Sequence, residues 1–232
     1  MKRDKENFPS ARHMSELYED VEDMTFTPSV QSLIDQLADG RIGGVFDVWR
    51  SVYDEMTPES HRAVNRLMCE RWPDQRHYHP ASVSSFLTMA EPGTVMEFGG
   101  YTGQLASEML AQFPAISRWV NCDFAPVDHV CLDSRYSNGE VEPSDALVAA
   151  HVFEHIREHE IDAVLRGAMA RDLYIDCPLP ARQGTNWRGY QGTHILSLSW
   201  SELAELIEGH GYTETARWDT VKSHARAYRV VQ

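Results

Sequence analysis

The sequence is poor in basic residues. It has 21 lysines and arginines against 35 aspartates and glutamates, which gives a formal net charge of −14 at pH 7. A protein that binds nucleic acid without regard to sequence needs a basic surface to neutralise phosphates, and docking on anionic lipid needs one as well. The acidic balance therefore argues against both activities. It says little against a protein that binds a single nucleotide in a local site.

The sequence also lacks a C-x-x-C pair and any long apolar run. The four cysteines (Cys69, Cys122, Cys131 and Cys177) stand apart in apolar or strand-like segments, a usage typical of reduced thiols rather than of a disulfide framework. No apolar stretch approaches the ~20 residues of a membrane span, and the first residues contain no apolar core of an export signal. We therefore expect a cytoplasmic protein that does not associate with membranes.

The organisation of the 232 residues changes near residue 91. Residues 1–28 are polar and predict a partly ordered lead-in. Residues 29–90 contain four segments in which apolar side chains recur at helical spacing. We expect this helical part to fold over a binding crevice as a lid, or else to pack on the edge of a sheet.

From residue 91 to residue 232 predicted strands alternate with predicted helices. The strands are "TVMEFG", "RWVNCDF", "DALVAAHVF" and "DLYIDCP", and two further candidates, "TETARWD" and "ARAYRVV", close the sequence. Alternation of this kind predicts an α/β domain with a Rossmann-like, doubly wound, mostly parallel sheet. Such sheets bind ligands outside the carboxyl ends of their strands.

The most informative segment is "TVMEFGGYTGQLASEML", in which an apolar strand turns into an amphipathic helix. Gly99, Gly100 and Gly103 form the turn, where glycine permits positive φ and lets a ligand approach backbone N–H groups at a helix N-terminus. Glu97 stands at the end of the strand and offers a carboxylate to a cationic or hydroxyl-bearing ligand. A tight turn without a ligand is one alternative. A nicotinamide site is another, but it needs Gly-x-Gly-x-x-Gly.

The segment "VMEFGGYTG" resembles the first motif of the class I S-adenosylmethionine-dependent methyltransferases, an acidic residue followed by Gly-x-x-x-Gly between strand and helix. The segments "WVNCDF", "DALVAAHVFEHI" and "LSWSELAELIEGHGY" are similar to later parts of the same family and occur in the same order. The resemblance covers about residues 91–232 and implies S-adenosylmethionine as the cofactor. The cofactor-binding residues that we infer from it are Glu97, Gly99, Gly100, Tyr101, Gly103, Asp123, Asp133 and His151.

The sequence departs from the family in two places. Tyr101 stands where the family most often has a glycine, so we expect an unusual backbone angle there or a phenol that points at the pocket. Only ten positions separate Asp123 from Asp133, whereas a crossover between parallel strands needs a dozen or more residues. The chain therefore lacks the usual helix between the second and third strands, or lacks the third strand.

The segment "AAHVFEHIREHE" contains His-x-x-Glu-His, the spacing of an inverted zinc-peptidase motif. A zinc site would need His151 and His155 one turn apart on a single helix, with Glu154 activating water. Residues 146–152 instead predict a buried strand, which assigns the two histidines to different elements, and we expect no metal. On this interpretation residues 151–154 line the rim of the crevice, Glu154 complements the dipole of the next helix, and His155 acts as a base or bonds to backbone.

The long loop at residues 178–199 is the predicted acceptor site. It carries aromatic and cationic side chains, namely Arg182, Trp187, Arg188 and Tyr190. His194 is the first candidate for a catalytic base and His155 the second, while Ser199 and Glu202 form a capping box. We expect a methyltransferase acting on a small-molecule or glycan acceptor rather than on nucleic acid. The alternatives are a non-catalytic domain that binds the cofactor or a partner, and, third, a zinc hydrolase acting through His151, Glu154 and His155.

Overall fold

The computed structural model describes residues 26–39, 45–57, 60–61, 63–64, 67, 80–101, 103–123, 131–178, 196, 198–219 and 224–231. Its α-helices are α1 (Pro28–Ala38), α2 (Val45–Val52), α3 (Pro80–Ala90), α4 (Gln104–Gln112), α5 (Glu158–Ala168) and α6 (Trp200–Gly209). Short 3-10 helices span Tyr53–Glu55 and Phe153–His155. The strands are β1 (Thr94–Phe98), β2 (Arg118–Cys122), β3 (Tyr136–Asn138), β4 (Ala146–Ala150), β5 (Asp172–Cys177), β6 (Tyr212–Asp219) and β7 (His224–Val230).

The seven strands form one sheet in the order β3-β2-β1-β4-β5-β7-β6. Neighbours from β3 to β5 are parallel, and β7 is antiparallel to both β5 and β6. The order of the parallel strands reverses between β1 and β4. The carboxyl ends of these two strands therefore flank a topological switch point, the place where open α/β sheets bind ligands. We call this side of the sheet the carboxyl edge and the opposite side the amino edge.

Helices cover both faces of the sheet, as the sequence predicts. On one face α5 and α6 pack in an apolar cluster that contains Met96, Leu147 and Leu173. On the other face α3 and α4 pack against Val95 and Trp119 in a second cluster. Because side chains alternate along a strand, the strands of the sheet supply apolar groups to both layers. The expected Rossmann-like, doubly wound sheet is confirmed.

The third strand of the family, whose presence the sequence left open, is present but short. Strand β3 has three residues, of which Ser137 and Asn138 are exposed, and it pairs with β2 in parallel. No helix lies between β2 and β3 among the described residues, which are 123 and 131–135 in that stretch. The alternative that the chain lacks the third strand is therefore wrong, and the absence of the usual helix stays a prediction.

Helix α3, which precedes the first strand, packs against the sheet. Its side chains Val83, Phe86 and Leu87 pack in the same cluster as β1 and β2, and the hydroxyl of Ser82 lies 2.7 Å from the phenol oxygen of Tyr174 on β5. The domain boundary at residue 91 stays a prediction.

The helical segment, which we define as residues 26–67, has an apolar cluster of its own. It is built from α1, α2 and the helical residues near 64, with Leu33, Ile34 and Trp49 buried. Thr27 caps α1, since its side-chain oxygen accepts from the N–H of Val30. No helix in the described part of the chain is long and apolar enough to cross a bilayer.

Candidate functional site

The glycine loop, residues 99–103, connects β1 to α4 at the switch point. Gly99 has φ +78°, Tyr101 φ +42° and Gly103 φ +68°, so three of its residues adopt the left-handed conformation that favours glycine. Tyr101 confirms the expected unusual backbone angle. A non-glycine residue in this region costs roughly 1–2 kcal/mol, and such strain is typical of functional sites.

The glycines of the loop are required by neighbouring protein atoms. A Cβ on Gly99 would lie 2.6 Å from Cγ2 of Val152, the residue two positions beyond β4. A Cβ on Gly100 would overlap the carboxyl carbon of Glu97, and one on Gly103 would lie 2.7 Å from the phenol oxygen of Tyr136. The loop is therefore pressed against β4 and β3, and side chains in the protein explain each glycine without a ligand.

The backbone N–H groups of the loop are also engaged within the protein. The N–H of Gly99 donates to the carbonyl of Cys122, and that of Gly103 donates to Gly100. The N–H of Gly100 donates to the side-chain oxygen of Asn121 at 3.0 Å. The N–H of Tyr101 donates to Oδ2 of Asp123 at 2.8 Å. These four N–H groups already have acceptors, so the loop is poorly suited to hold a phosphate in the manner of a nucleotide site.

Glu97 lies beneath the glycine loop, on the face of the sheet that carries α3 and α4. Its side chain is 4% exposed, and Oε2 accepts a hydrogen bond of 2.9 Å from the indole Nε1 of Trp119. Burial raises the pKa of Glu97 to about 7, although the indole hydrogen bond opposes this. A carboxyl group so placed changes its protonation near neutral pH, and it supports the loop from below rather than projecting into the crevice.

Asp123 directly follows β2 at the carboxyl edge. Its Oδ2 accepts from the N–H of Tyr101, and the residue is partly exposed. It follows the last glycine of the loop by 20 positions, the interval at which an acidic residue binds a ribose hydroxyl in dinucleotide folds. The neighbouring side chain Asn121 donates to Asn138 of β3 at 3.1 Å, so the ends of β2 and β3 are tied together.

Asp133 lies far from the glycine loop and Asp123, at the other edge of the sheet. The prediction that it binds the cofactor therefore has the wrong position. Asp133 precedes β3, at the amino edge, where Arg135 donates to its carboxylate at 2.6 Å. This hydrogen bond lowers the pKa of Asp133 to about 2. Arg135 also donates to the carbonyls of Leu110 and Ile116 and so closes the C-terminal end of α4. The pair has a structural role.

His151 directly follows β4 and lies between two buried carboxylates. Its Nδ1 is 3.4 Å from Oε1 of Glu154, and its Nε2 is 3.7 Å from Oδ1 of Asp176 at the end of β5. Both carboxylates are almost fully buried, whereas the imidazole is 15% exposed. Burial alone would lower the pKa of His151, but the hydrogen bond and charge of Glu154 and the charge of Asp176 outweigh it, so that the pKa is raised.

Glu154 is a core residue of the turn and not a cap of α5. It lies in the 3-10 helix after β4. Burial would raise its pKa, but the charges of His155 and His151 lower it instead. The carboxylate that caps α5 is Glu160, which accepts from the N–H of Arg157 at 2.6 Å. The helix therefore begins at Glu158, four residues later than the sequence indicated.

The positions of the histidines exclude the geometry of an inverted zinc-peptidase site. His151 has φ +54° and lies between β4 and the 3-10 helix, so His151 and His155 do not share a helical face. Nor do His155 and His159, since Ile156 between them is extended. His155 instead packs its ring against Trp49 of the helical segment, with a centroid distance of 6.2 Å.

The helical segment is attached to the turn that carries these histidines. The phenol of Tyr53 donates to Oε2 of Glu160 at 2.9 Å. Arg157 donates to both carboxylate oxygens of Asp54, at 3.1 and 2.7 Å, and its guanidinium lies 5.3 Å from the centroid of the Tyr53 ring. These contacts lie just beyond the carboxyl end of β4, so the helical segment packs on the same side of the sheet as the glycine loop.

The predicted acceptor residues Arg182, Trp187, Arg188, Tyr190 and His194 lie outside the described residues. The capping box of Ser199 and Glu202 is confirmed: the N–H of Ser199 donates to Glu202 at 2.8 Å, and the Ser199 hydroxyl accepts from the N–H of Glu202. The described cysteines (Cys122, Cys131 and Cys177) carry free thiols, as expected.

Sequence reasoning missed Trp119, Asn121 and Asp176 as parts of the site. All three are buried in strands and have the usual appearance of core residues. One signal was available for Asp176, which lies at the carboxyl end of the apolar strand "DLYIDC". Burying an acidic side chain there costs free energy, which indicates a functional role.

Comparison with known proteins gives the fold. Neither a family model nor a curated protein matches the chain by sequence, but solved structures do match it. TnmH is 18% identical with a TM-score of 0.56, over 88% of this chain and 68% of that one. The mitomycin 7-O-methyltransferase MmcR is 17% identical with a TM-score of 0.53, over 88% and 69%. Human N-acetylserotonin methyltransferase, solved in complex with SAM, is 11% identical with a TM-score of 0.55, over 95% and 67%.

The chain has the class I methyltransferase fold. The resemblance to that family is confirmed as one of fold, and the glycine loop, Asp123 and His151 all lie at the carboxyl edge of the sheet.

Proposed function

We propose that the protein is an S-adenosylmethionine-dependent methyltransferase that acts on a small-molecule or glycan acceptor. The observation that carries the proposal is the meeting of the glycine loop, Asp123 and His151 at the switch point between β1 and β4. The fold neighbours support a small acceptor, since two of them are named for methyl transfer to mitomycin and to N-acetylserotonin.

The residues at the carboxyl edge fit this cofactor better than a nucleotide. Four N–H groups of the glycine loop are already used, which disfavours a ligand with phosphates, and S-adenosylmethionine has none. Asp123 offers a carboxylate that can accept from ribose hydroxyls. The buried carboxylates of Glu154 and Asp176 favour a positively charged ligand. When bound, the cofactor supplies an electrophilic methyl group.

The protein then has to orient the acceptor and exclude water, because methyl transfer is an in-line displacement. The helical segment packs on the same side of the sheet as the glycine loop through Tyr53, Asp54 and Trp49, and we propose that it acts as a lid. A base is required only for an acceptor that loses a proton. His194 remains the first candidate and His155 the second, with Arg182, Trp187, Arg188 and Tyr190 as the proposed acceptor contacts.

Titration calorimetry with S-adenosylhomocysteine tests the cofactor. We expect one site, and Asp123→Asn should weaken it about 10- to 100-fold, the range for loss of a hydrogen bond to a charged group. The amide keeps an oxygen for the N–H of Tyr101, so the loop should stay folded. Asp133→Asn is the matched control at the amino edge and should leave affinity unchanged. Absence of heat at concentrations that detect ~100 μM affinity (about −5.5 kcal/mol) would rule out the proposal.

Turnover separates an enzyme from a binding module. With an acceptor that must lose a proton, removal of the general base typically costs 10²–10⁴-fold in rate. We expect that loss for His194→Ala, with cofactor affinity nearly unchanged, and a smaller loss for His155→Ala. A non-catalytic binder, the second candidate, would bind the cofactor and transfer no methyl group to any fraction of small molecules.

A further inference from the structure

The carboxyl group of Glu97 is buried beneath the glycine loop, where little compensates a negative charge. The residue is 4% exposed, and its Oε2 accepts a 2.9 Å hydrogen bond from the indole of Trp119. Among the described residues, no lysine, arginine or histidine lies close enough to stabilise the ionised form. One neutral N–H donor offsets only part of the cost of burying a carboxylate, so burial raises the pKa of Glu97 to about 7.

The described groups around Glu97 add no positive charge. Strand β4 places Val148 opposite it, and α3 and α4 contribute apolar side chains to the cluster on this face. Tyr136 of β3 and Cys131, which precedes that strand, can titrate, but burial raises their pKa values and both stay neutral. The negative charge of Asp123 favours the neutral form of Glu97 further. Without ligand, Glu97 is therefore about half protonated near pH 7.

The glycine loop rests directly on this carboxyl group. A Cβ on Gly100 would overlap the carboxyl carbon of Glu97 and would lie 2.7 Å from its Oε2. The N–H of Gly100 donates to Oδ1 of Asn121 at 3.0 Å, which holds the backbone in this position. The backbone of the loop therefore lies between the buried carboxyl group and the switch point, where sheets of this kind bind ligands. A cation bound there acts on Glu97 through its charge without touching the side chain.

We propose that binding of the cofactor ionises Glu97, which gives up its proton to the solvent when a cationic ligand occupies the switch point. This inference rests on the proposed function and concerns the control of that site by pH. S-adenosylmethionine carries a positive sulfonium and a positive ammonium group against one carboxylate, so it stabilises the ionised form of Glu97. The O–H bond of the carboxylic acid breaks, its electron pair stays on the carboxylate, and water or buffer takes the proton.

The link between binding and pH has a defined direction. Because the ligand favours the ionised form, it lowers the pKa of Glu97, so the affinity is fully present above pH 7 and is lost progressively below it. Two unit charges about 7 Å apart, at an effective dielectric of about 20, change an acid dissociation constant by tenfold or more. We therefore expect S-adenosylmethionine to bind about five- to tenfold more tightly at pH 8 than at pH 6, with about half a proton released at pH 7.

Titration calorimetry with S-adenosylmethionine, without acceptor, counts this proton. The titration at pH 7 is carried out in phosphate and in Tris, because the two buffers differ in ionisation enthalpy and the difference in heat gives the number of protons released. Glu97→Gln keeps the size of the side chain and has no proton to lose. Any proton that the ligand exchanges is common to both proteins. We expect the intact protein to release about half a proton more than Glu97→Gln.

Three further variants identify the source of the proton. His151 has a raised pKa at the same edge, and His151→Gln should still release a proton at pH 7. Asp145→Asn is the matched control, since the carboxylate of Asp145 accepts from the N–H of Thr94 at the amino edge and has a lowered pKa. It should leave the proton count unchanged. Trp119→Phe removes the hydrogen bond that lowers the pKa of Glu97, so it should release more proton at pH 8 than the intact protein.

The outcomes separate this inference from the proposed function. If S-adenosylmethionine does not bind, both fail. If it binds and Glu97→Gln releases as much proton as the intact protein, or if the release disappears in His151→Gln instead, the inference is overturned while the proposed function stands. Should Glu97→Gln not fold, Trp119→Phe decides the question, and equal release at pH 8 from this variant and the intact protein overturns the inference.

Discussion

The indole of Trp119 donates a 2.9 Å hydrogen bond to the carboxylate of Glu97 directly beneath the glycine loop. The pKa of Glu97 is raised from 4.5 to about 7 by burial. Because the folded protein holds this proton more tightly than the unfolded chain, the contribution of Glu97 to stability is greatest below pH 4.5 and is lost as pH rises through about 7. At about 1.4 kcal/mol for each pH unit, the loss reaches roughly 3 kcal/mol.

Glu97→Gln should therefore stabilise the protein without ligand at pH 8 by up to about 3 kcal/mol, with a difference that shrinks toward pH 5. Urea unfolding at several pH values measures this. Asp145→Asn is a control of opposite sign. The N–H of Thr94 and of Gly93 hydrogen-bond to Asp145 and lower its pKa, so its removal should destabilise at pH 8. If Glu97→Gln and the parent protein were equally stable at pH 8, this would contradict the raised pKa of Glu97.

Gly99 and Val152 should show a strong energetic coupling. Gly99→Ala places a Cβ 2.6 Å from Cγ2 of Val152 at φ +78°, and we expect a loss of about 2–4 kcal/mol from strain and overpacking. Adding Val152→Gly removes both Cγ2 and the Val152 Cβ, which would lie 2.7 Å from the new Cβ, and should therefore recover the overpacking part and leave about 1 kcal/mol of backbone strain at residue 99. A double-mutant cycle measures the coupling. Simple additivity of the two changes would show that the loop does not press on Val152.

Tyr101→Gly should stabilise the protein by up to about 1 kcal/mol, because glycine adopts φ +42° without strain while losing more chain entropy. If the side chain of Tyr101 contacts the ligand, the affinity for S-adenosylhomocysteine should fall in the same variant. Met169→Gly is the matched control, since Met169 has φ +43°, is 71% exposed and ends α5 at the amino edge. It should gain similar stability and keep full affinity.

Tyr53→Phe tests the attachment of the helical segment. Loss of the hydrogen bond to Glu160 should cost about 0.5–1.5 kcal/mol and speed amide hydrogen exchange in α1 and α2. Tyr212→Phe is the control: its phenol donates to the carbonyl of Ala170 at 2.6 Å at the amino edge. It should cost comparable stability without faster exchange in α1 and α2. If Tyr53→Phe and Tyr212→Phe gave the same pattern of amide hydrogen exchange, this would count against a helical segment that opens independently of the sheet.

The sequence predicted the strands that matter because each is an apolar run with a clear end. Strands β1, β2, β4 and β5 agree with the structure to within a few residues. Strand β3 escaped, since an exposed edge strand of three residues, "YSN", has no apolar pattern. Because β3 was not recognised, the sequence did not show whether Asp133 precedes or follows a strand. Asp133 was therefore assigned to the wrong edge of the sheet.

The contacts within the site depended on information that is not local. The bond from Trp119 to Glu97 follows from the pairing of β1 with β2, in which Glu97 stands opposite Asn121 and Val95 opposite Trp119. The approach of Asp176 to His151 follows from the pairing of β4 with β5. Residue types and spacing predict the elements and the edge at which ligands bind. They do not specify which buried carboxylate meets which donor.

The position of β7 between β5 and β6 bears on how the chain is made on the ribosome. Among the described strands, β6 pairs with β7 alone, and β5 pairs with β4 and β7. While residues 224–230 are still inside the exit tunnel, β5 therefore exposes an open side. The parallel strands can assemble earlier, but the sheet closes only when β7 emerges, which makes the interval just before that moment the one most open to capture by a chaperone or by another nascent chain.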